Sequence, residues 1–184
     1  GPRMEIQGFL DEPIPAEAQA ELESHFTEAD TRFEGARVRR HAMGCDILAD
    51  VTWHEFGDDG PGHTVRHTVV FLHRPGTTLP EFEIRPRRGV GEKILGALVS
   101  ALGMPSLELE DEPTFNERYS ILTANPESVK VLIGREAIDA LLDVEDLFLK
   151  FGPRGVLASR HSVDGSSGGR NSRSGRDVRD HRGE

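Results

Sequence analysis

From Ile14 onward the apolar residues Ala18, Leu22, Phe26, Ala29 and Phe33 recur at three- and four-residue spacing, the pattern of one face of a helix. Pro15 suits a first helical turn, and a helix over 15 to about 32 is predicted. Glu17, Glu21, Glu23 and Glu28 place its other side in water. From Ile47 the pattern changes to alternation. Ile47, Ala49, Val51 and Trp53 fall on one side, and Asp50, Thr52 and His54 on the other, as in a half-buried strand. The run Gly57-Asp58-Asp59-Gly60-Pro61-Gly62 is turn chemistry, and beyond it Val65, His67, Val69 and Phe71 share one face of a second strand. A symmetric hairpin pairs Val51 with Val69, Ala49 with Phe71 and Trp53 with His67, so that both apolar faces coincide.

Phe82 and Ile84 alternate with Glu81, Glu83 and Arg85 in a short third strand ended by Pro86. Ile94, Leu95, Leu98, Val99 and Leu102 then form a broad apolar stripe, predicting a buried helix over about 91–102 with Gly103 as its stop. Leu107 and Leu109 alternate with Glu108 and Glu110, and 119–123 reads as another strand. Asn125-Pro126-Glu127 opens a helical stretch divided at Gly134, and 147–151 and 156–158 flank Gly152-Pro153-Arg154-Gly155 as a final hairpin. The expected fold is α+β: a curved, mainly antiparallel sheet packed by three to four helices. The ordered domain spans 4–161. Gly1 to Arg3 read as the remnant of a cleaved tag, and 162–184 read as a disordered Ser/Gly/Arg tail too poor in apolar residues to offset its ordering entropy.

Composition narrows the function classes. One cysteine in 184 residues rules out an intramolecular disulfide and suits a reducing compartment. No run approaches the ~20 apolar residues of a membrane span, so a cytoplasmic protein without membrane insertion is expected. A net charge of −10 repels phosphate backbones. The tail arginines, at every third position from Arg170 to Arg182, are nearly cancelled by neighbouring acids, so nucleic acid is not an expected partner.

A set of short words carries a resemblance: Thr68-Val69-Val70, Leu79-Pro80, Arg85-Pro86, Leu107-Glu108-Leu109-Glu110 leading to Phe115-Asn116-Glu117-Arg118-Tyr119, and Leu141-Leu142. Over about 64–160 the chain resembles a bacterial family of uncharacterised domains, commonly found after paired transmembrane helices. The resemblance implies a bacterial source and an α+β domain, and it implies no catalytic residue or cofactor. The chain departs from the family layout by beginning with a charged amphipathic helix where the family has membrane spans.

Residue types offer few sites. His41 and Cys45, with His63 and His67, have the donor chemistry of a zinc site and four-residue spacings. On a strand, however, His63 and His67 would stand ~13 Å apart, and His67 beside Trp53 reads as a core-edge histidine. Arg85, Arg87 and Arg88 could hold an anion at a strand end. Gly89-Val90-Gly91-Glu92-Lys93 lacks the spacing and the hydroxyl of a P-loop. Glu108, Glu110, Asp111 and Glu112 follow no calcium-loop pattern and read as a solvated strand face. Gly-x-Ser-x-Gly occurs only as Gly165-Ser166-Ser167-Gly168-Gly169 within the Ser/Gly/Arg tail, without the strand and helix that a nucleophile elbow requires. The expectation is a noncatalytic protein-interaction module, binding a different protein or a second copy, with no cofactor. A small-molecule-binding or metal-dependent hydrolytic enzyme is the alternative.

Overall fold

The fold is taken from a computed structural model in which residues 8–56, 60–87 and 104–160 are described. The helix expected over 91–102, the tag remnant and the tail lie outside them. The described elements run α1 (Ala16–Glu23), β1 (Arg32–His41), β2 (Gly44–Glu55), β3 (His63–His73), β4 (Phe82–Pro86), β5 (Ser106–Leu107), α2 (Pro113–Arg118), β6 (Tyr119–Thr123), α3 (Pro126–Leu132), α4 (Arg135–Asp143), β7 (Leu147–Phe151) and β8 (Gly155–Arg160). No described helix is long and apolar enough to cross a membrane.

Helix α1 stops eight residues before the next strand begins, well short of the predicted end near 32. Ser24 donates to the Glu21 carbonyl and Thr31 to the Glu28 carbonyl, local bonds that compete with helix continuation. Phe26 and Phe33 still meet, edge to face at 5.6 Å, but Phe33 reaches the contact from β1. The first hairpin pairs Val51 with His67, Ala49 with Val69, Ile47 with Phe71 and Trp53 with Val65. That register lies two residues from the expected one, and an even slip leaves every side chain on its predicted face.

All eight strands join one antiparallel sheet in the order β1-β2-β3-β8-β7-β4-β6-β5. The expected curvature is overturned, because the sheet is open and not strongly curled. The reason is the distribution of the core. Ala18 and Leu22 of α1 cover one face of β1, β2, β3 and β8, together with Val38, Ile47, Val51, Phe71 and Leu157. Phe115, Val129, Ile138 and Leu141 of α2–α4 cover Phe82, Ile84, Tyr119 and Ile121 of β4 and β6. In β7, Phe148 belongs to the first cluster, while Leu147, Leu149 and Phe151 pack on the second. Successive strand residues point to opposite faces, so the two clusters lie on opposite sides of the sheet. With helices on both faces there is no single core for the sheet to wrap.

Register partners make this concrete. One row on the α4 side crosses every strand: Leu107, Ile121, Ile84, Leu149, Ala158, Val70, Leu48 and Arg37. It is apolar from β5 to β2 and ends on an arginine. Gly155 lets β8 approach β3, since a Cβ there would stand 2.6 Å from the Phe71 ring. At the β1 edge, Leu10 forms an isolated bridge with Val38, and a bulge between Glu34 and Arg37 holds Gly35 at φ +60°. The opposite edge strand, β5, is two residues long.

Just beyond α1, His25 is 3 % exposed, sits edge-on to Phe71 at 5.6 Å, and its Nε2 has no hydrogen-bond partner. Burial, aided by the nearby Lys150, lowers its pKa from 6.5 to about 4. Between those values the unfolded chain binds a proton that the folded chain does not, so stability falls as pH drops through this window. The group accounts for up to about 3 kcal/mol of that loss. Burial also lowers the pKa of His73, so His25→Leu should shrink the acid slope without abolishing it. Urea unfolding near pH 7 and near pH 5 measures the slope; an equal slope in the variant would show that His25 does not carry it.

Candidate functional site

The residues singled out in the sequence are placed apart. Cys45 pairs with His73 in the β2–β3 ladder, and Glu55 at the far end of β2 pairs with His63. Ten residues of strand separate Cys45 from Glu55, or ~33 Å, and His67 lies between, ~20 Å from the level of Cys45. No group of three or more metal-donor side chains occurs among the described residues. His67 stacks on Trp53 at 5.4 Å, and His63 contacts Glu55 at 3.3 Å. Cys45 is buried, which pushes its thiol pKa up against the opposing effect of Arg40. His41 accepts a hydrogen bond at Nδ1 from the Met43 amide, leaving Nε2 to donate to Asp46 at 3.3 Å. Asp46 also accepts from Arg39 at 2.8 and 3.0 Å and from Arg74 at 2.8 Å. Burial pushes its carboxyl pKa up, and these three partners outweigh that and hold it below the ordinary value. The cluster pins the start of β2: its side chains converge on one carboxylate, and Arg74 also donates to the Cys45 and His73 carbonyls.

The arginines are likewise engaged. Arg85 contacts the buried Glu83 at 2.5 and 2.8 Å. Arg87 donates to the carbonyls of Asn116 and Tyr119 at 2.5 and 3.2 Å. Arg88 lies outside the described residues.

The surface that the sequence reading missed is a trough between α4 and the sheet. Ala137, Ala140, Leu141 and Val144 form its helical wall, Phe82, Ile84, Leu147, Leu149 and Phe151 its floor, and Leu132 and Ile133 one end. Its volume is about 320 Å³. Phe82 and Phe151 stack at 4.1 Å where β4 meets β7. Leu132 at the rim is 46 % exposed and the neighbouring Val131 is 86 % exposed. Beyond β7 the floor continues over Val156, Ala158, Val70, Leu72 and Leu48, all half-buried and in neither core cluster. The available signal was in β7 itself: Leu147-Phe148-Leu149 is apolar at consecutive positions, the mark of a strand covered on both faces.

A clamp built by α2 and β6 positions the wall. The last carbonyls of a helix have no partner within it. Here Arg118 donates to Leu142 at 2.5 Å and to Val144 at 2.9 Å, and the Tyr119 hydroxyl lies 2.9 Å from the carbonyls of both Leu141 and Val144. A guanidinium at this end also complements the helix dipole. Burial pushes the Tyr119 pKa up and keeps it a donor. Asn116 forms two bonds with the Leu109 backbone, at 3.0 and 2.8 Å, and the fully buried Phe115 stacks on Tyr119 at 5.4 Å. Phe115-Asn116-Glu117-Arg118-Tyr119 and Leu141-Leu142, two of the words behind the resemblance, are thus the two halves of one structural joint.

No family model, no curated protein and no solved structure matches the chain.

Arg118→Ala removes two charge-assisted bonds and should cost about 2 kcal/mol, with faster amide hydrogen exchange confined mainly to α4. Tyr119→Phe should cost about 1 kcal/mol. Unchanged protection of α4 in both variants would show that the clamp does not hold the wall.

Proposed function

We propose that the chain is a noncatalytic module that binds another protein surface through the trough beside α4. The observation that carries this reading is the lining: among the described residues it consists of aliphatic and aromatic side chains, with no titratable group aimed inward. A catalytic pocket needs polar groups converging on the reacting atoms, whereas a docking surface needs an apolar anchor with a polar rim. Glu136 and Asp139 on the outer side of α4 supply that rim, and the exposed Leu132 and Val131 supply apolar contact beside it.

Leu132→Asp tests the reading without touching the buried core, and Phe56→Asp serves as control, since Phe56 is 82 % exposed and lies outside the trough. Quantitative mass spectrometry of proteins captured by each form, followed by binding of the purified candidate, should show ~tenfold weaker binding to Leu132→Asp alone. Equal binding by all three forms would overturn the reading.

A further inference from the structure

We infer that the surface seated on this trough is a second copy of the same chain, related by a two-fold axis parallel to the strands. The inference rests on the docking reading above and names its partner. The face is apolar in the middle and oppositely charged at its two ends. At one end the acidic positions Glu136 and Asp143 lie on α4. Both are exposed, and neither forms an ion pair among the described residues. At the other end Arg32 and Arg37 lie on β1, on this same face by register with Thr52 and Leu48. They too form no ion pair among the described residues, while Arg39 and Arg66 are paired with Asp46, Asp50 and Glu34.

Five strand spacings separate β1 from β4, or ~24 Å, with Val70 and Ala158 midway. A two-fold axis through that midpoint and along the strands lays the β1 end of one copy on the α4 end of the other, twice. Each spare arginine then meets a spare carboxylate, the isologous condition that residue i contacts j and j contacts i. An axis across the strands would instead set arginine on arginine and carboxylate on carboxylate, which opposes association. Shape agrees with charge: α4 stands about 10 Å above the sheet, and the β1–β3 half of this face carries no described helix, so the raised half of each copy seats on the open half of the other.

Sedimentation equilibrium of the full chain tests this. The wild type should form a dimer that weakens with added salt, as screened charges require. The axis keeps positions along the strands, which sets Asp143 nearest Arg32 and Glu136 nearest Arg37. Asp143→Arg or Arg32→Glu alone should weaken the dimer about tenfold, and the two together should restore it, a coupling that independent sites do not show. Circular dichroism checks folding, and the Glu136→Arg and Arg37→Glu pair replaces any variant that fails to fold. A monomeric wild type whose hetero-partner binding still depends on Leu132 would overturn the second-copy inference and leave the docking reading standing. A dimer indifferent to these charges and to Leu132→Asp would place self-association on another surface and also overturn it. A monomer without any Leu132-dependent partner would remove both.

Discussion

Strand β7 has to satisfy two cores at once. Phe148 points into the cluster under α1, and Leu147, Leu149 and Phe151 point to the side covered by α2–α4. Because side chains alternate along a strand, one five-residue segment fixes the relation between the halves of the sheet: whatever buries the first half must lie on the opposite face from whatever buries the second. Curling towards either set of helices would open the packing of the other, and an open, weakly curled sheet is the compromise. The cost appears at the seam, where Glu83 and Lys150 are register partners on the α1 side. Burial there lowers the Lys150 pKa, opposed by Glu83.

Local patterns predicted local structure well. The alternation through β2 and β3, the Gly134 break between α3 and α4, and the β7–β8 hairpin were all legible, because each is set by neighbours in sequence. The hairpin register was misjudged by two because a turn rich in glycine and aspartate does not fix its own centre. Strand β1 was missed because four of its ten positions are arginine and because Phe26, Ala29 and Phe33 keep helical spacing by coincidence of their strand and turn positions. Curvature could not be read at all, since it depends on which face each distant segment covers.

The candidate site follows the same division. Donor residue types drew attention to His41, Cys45, His63 and His67, yet the β2–β3 ladder sets His41 and Cys45 at one end and His63 at the other, with His67 between them. Asp46 has no motif around it; its three side-chain partners come from β1 and from the residue after β3. The trough is assembled from β4, α3, α4 and β7, which are contributed across about 70 residues of chain, and none of its members is unusual alone. The clamp was visible as a word, Phe115 to Tyr119, but not as a joint, because its acceptors are backbone carbonyls that any sequence possesses.

The edges of the sheet bear on whether further chains can add to it side by side. Unpaired strand edges invite endless lateral addition of further chains, the route to fibrous aggregates. One border here is kinked by a bulge at Gly35, occupied at Val38 by Leu10 and lined with arginine, and the other offers only two residues. Lateral growth is therefore hindered at both described edges, so an apolar surface on the flat of the sheet carries less risk of polymerisation: a face that pairs with its own copy closes on itself, whereas contacts made edge to edge do not.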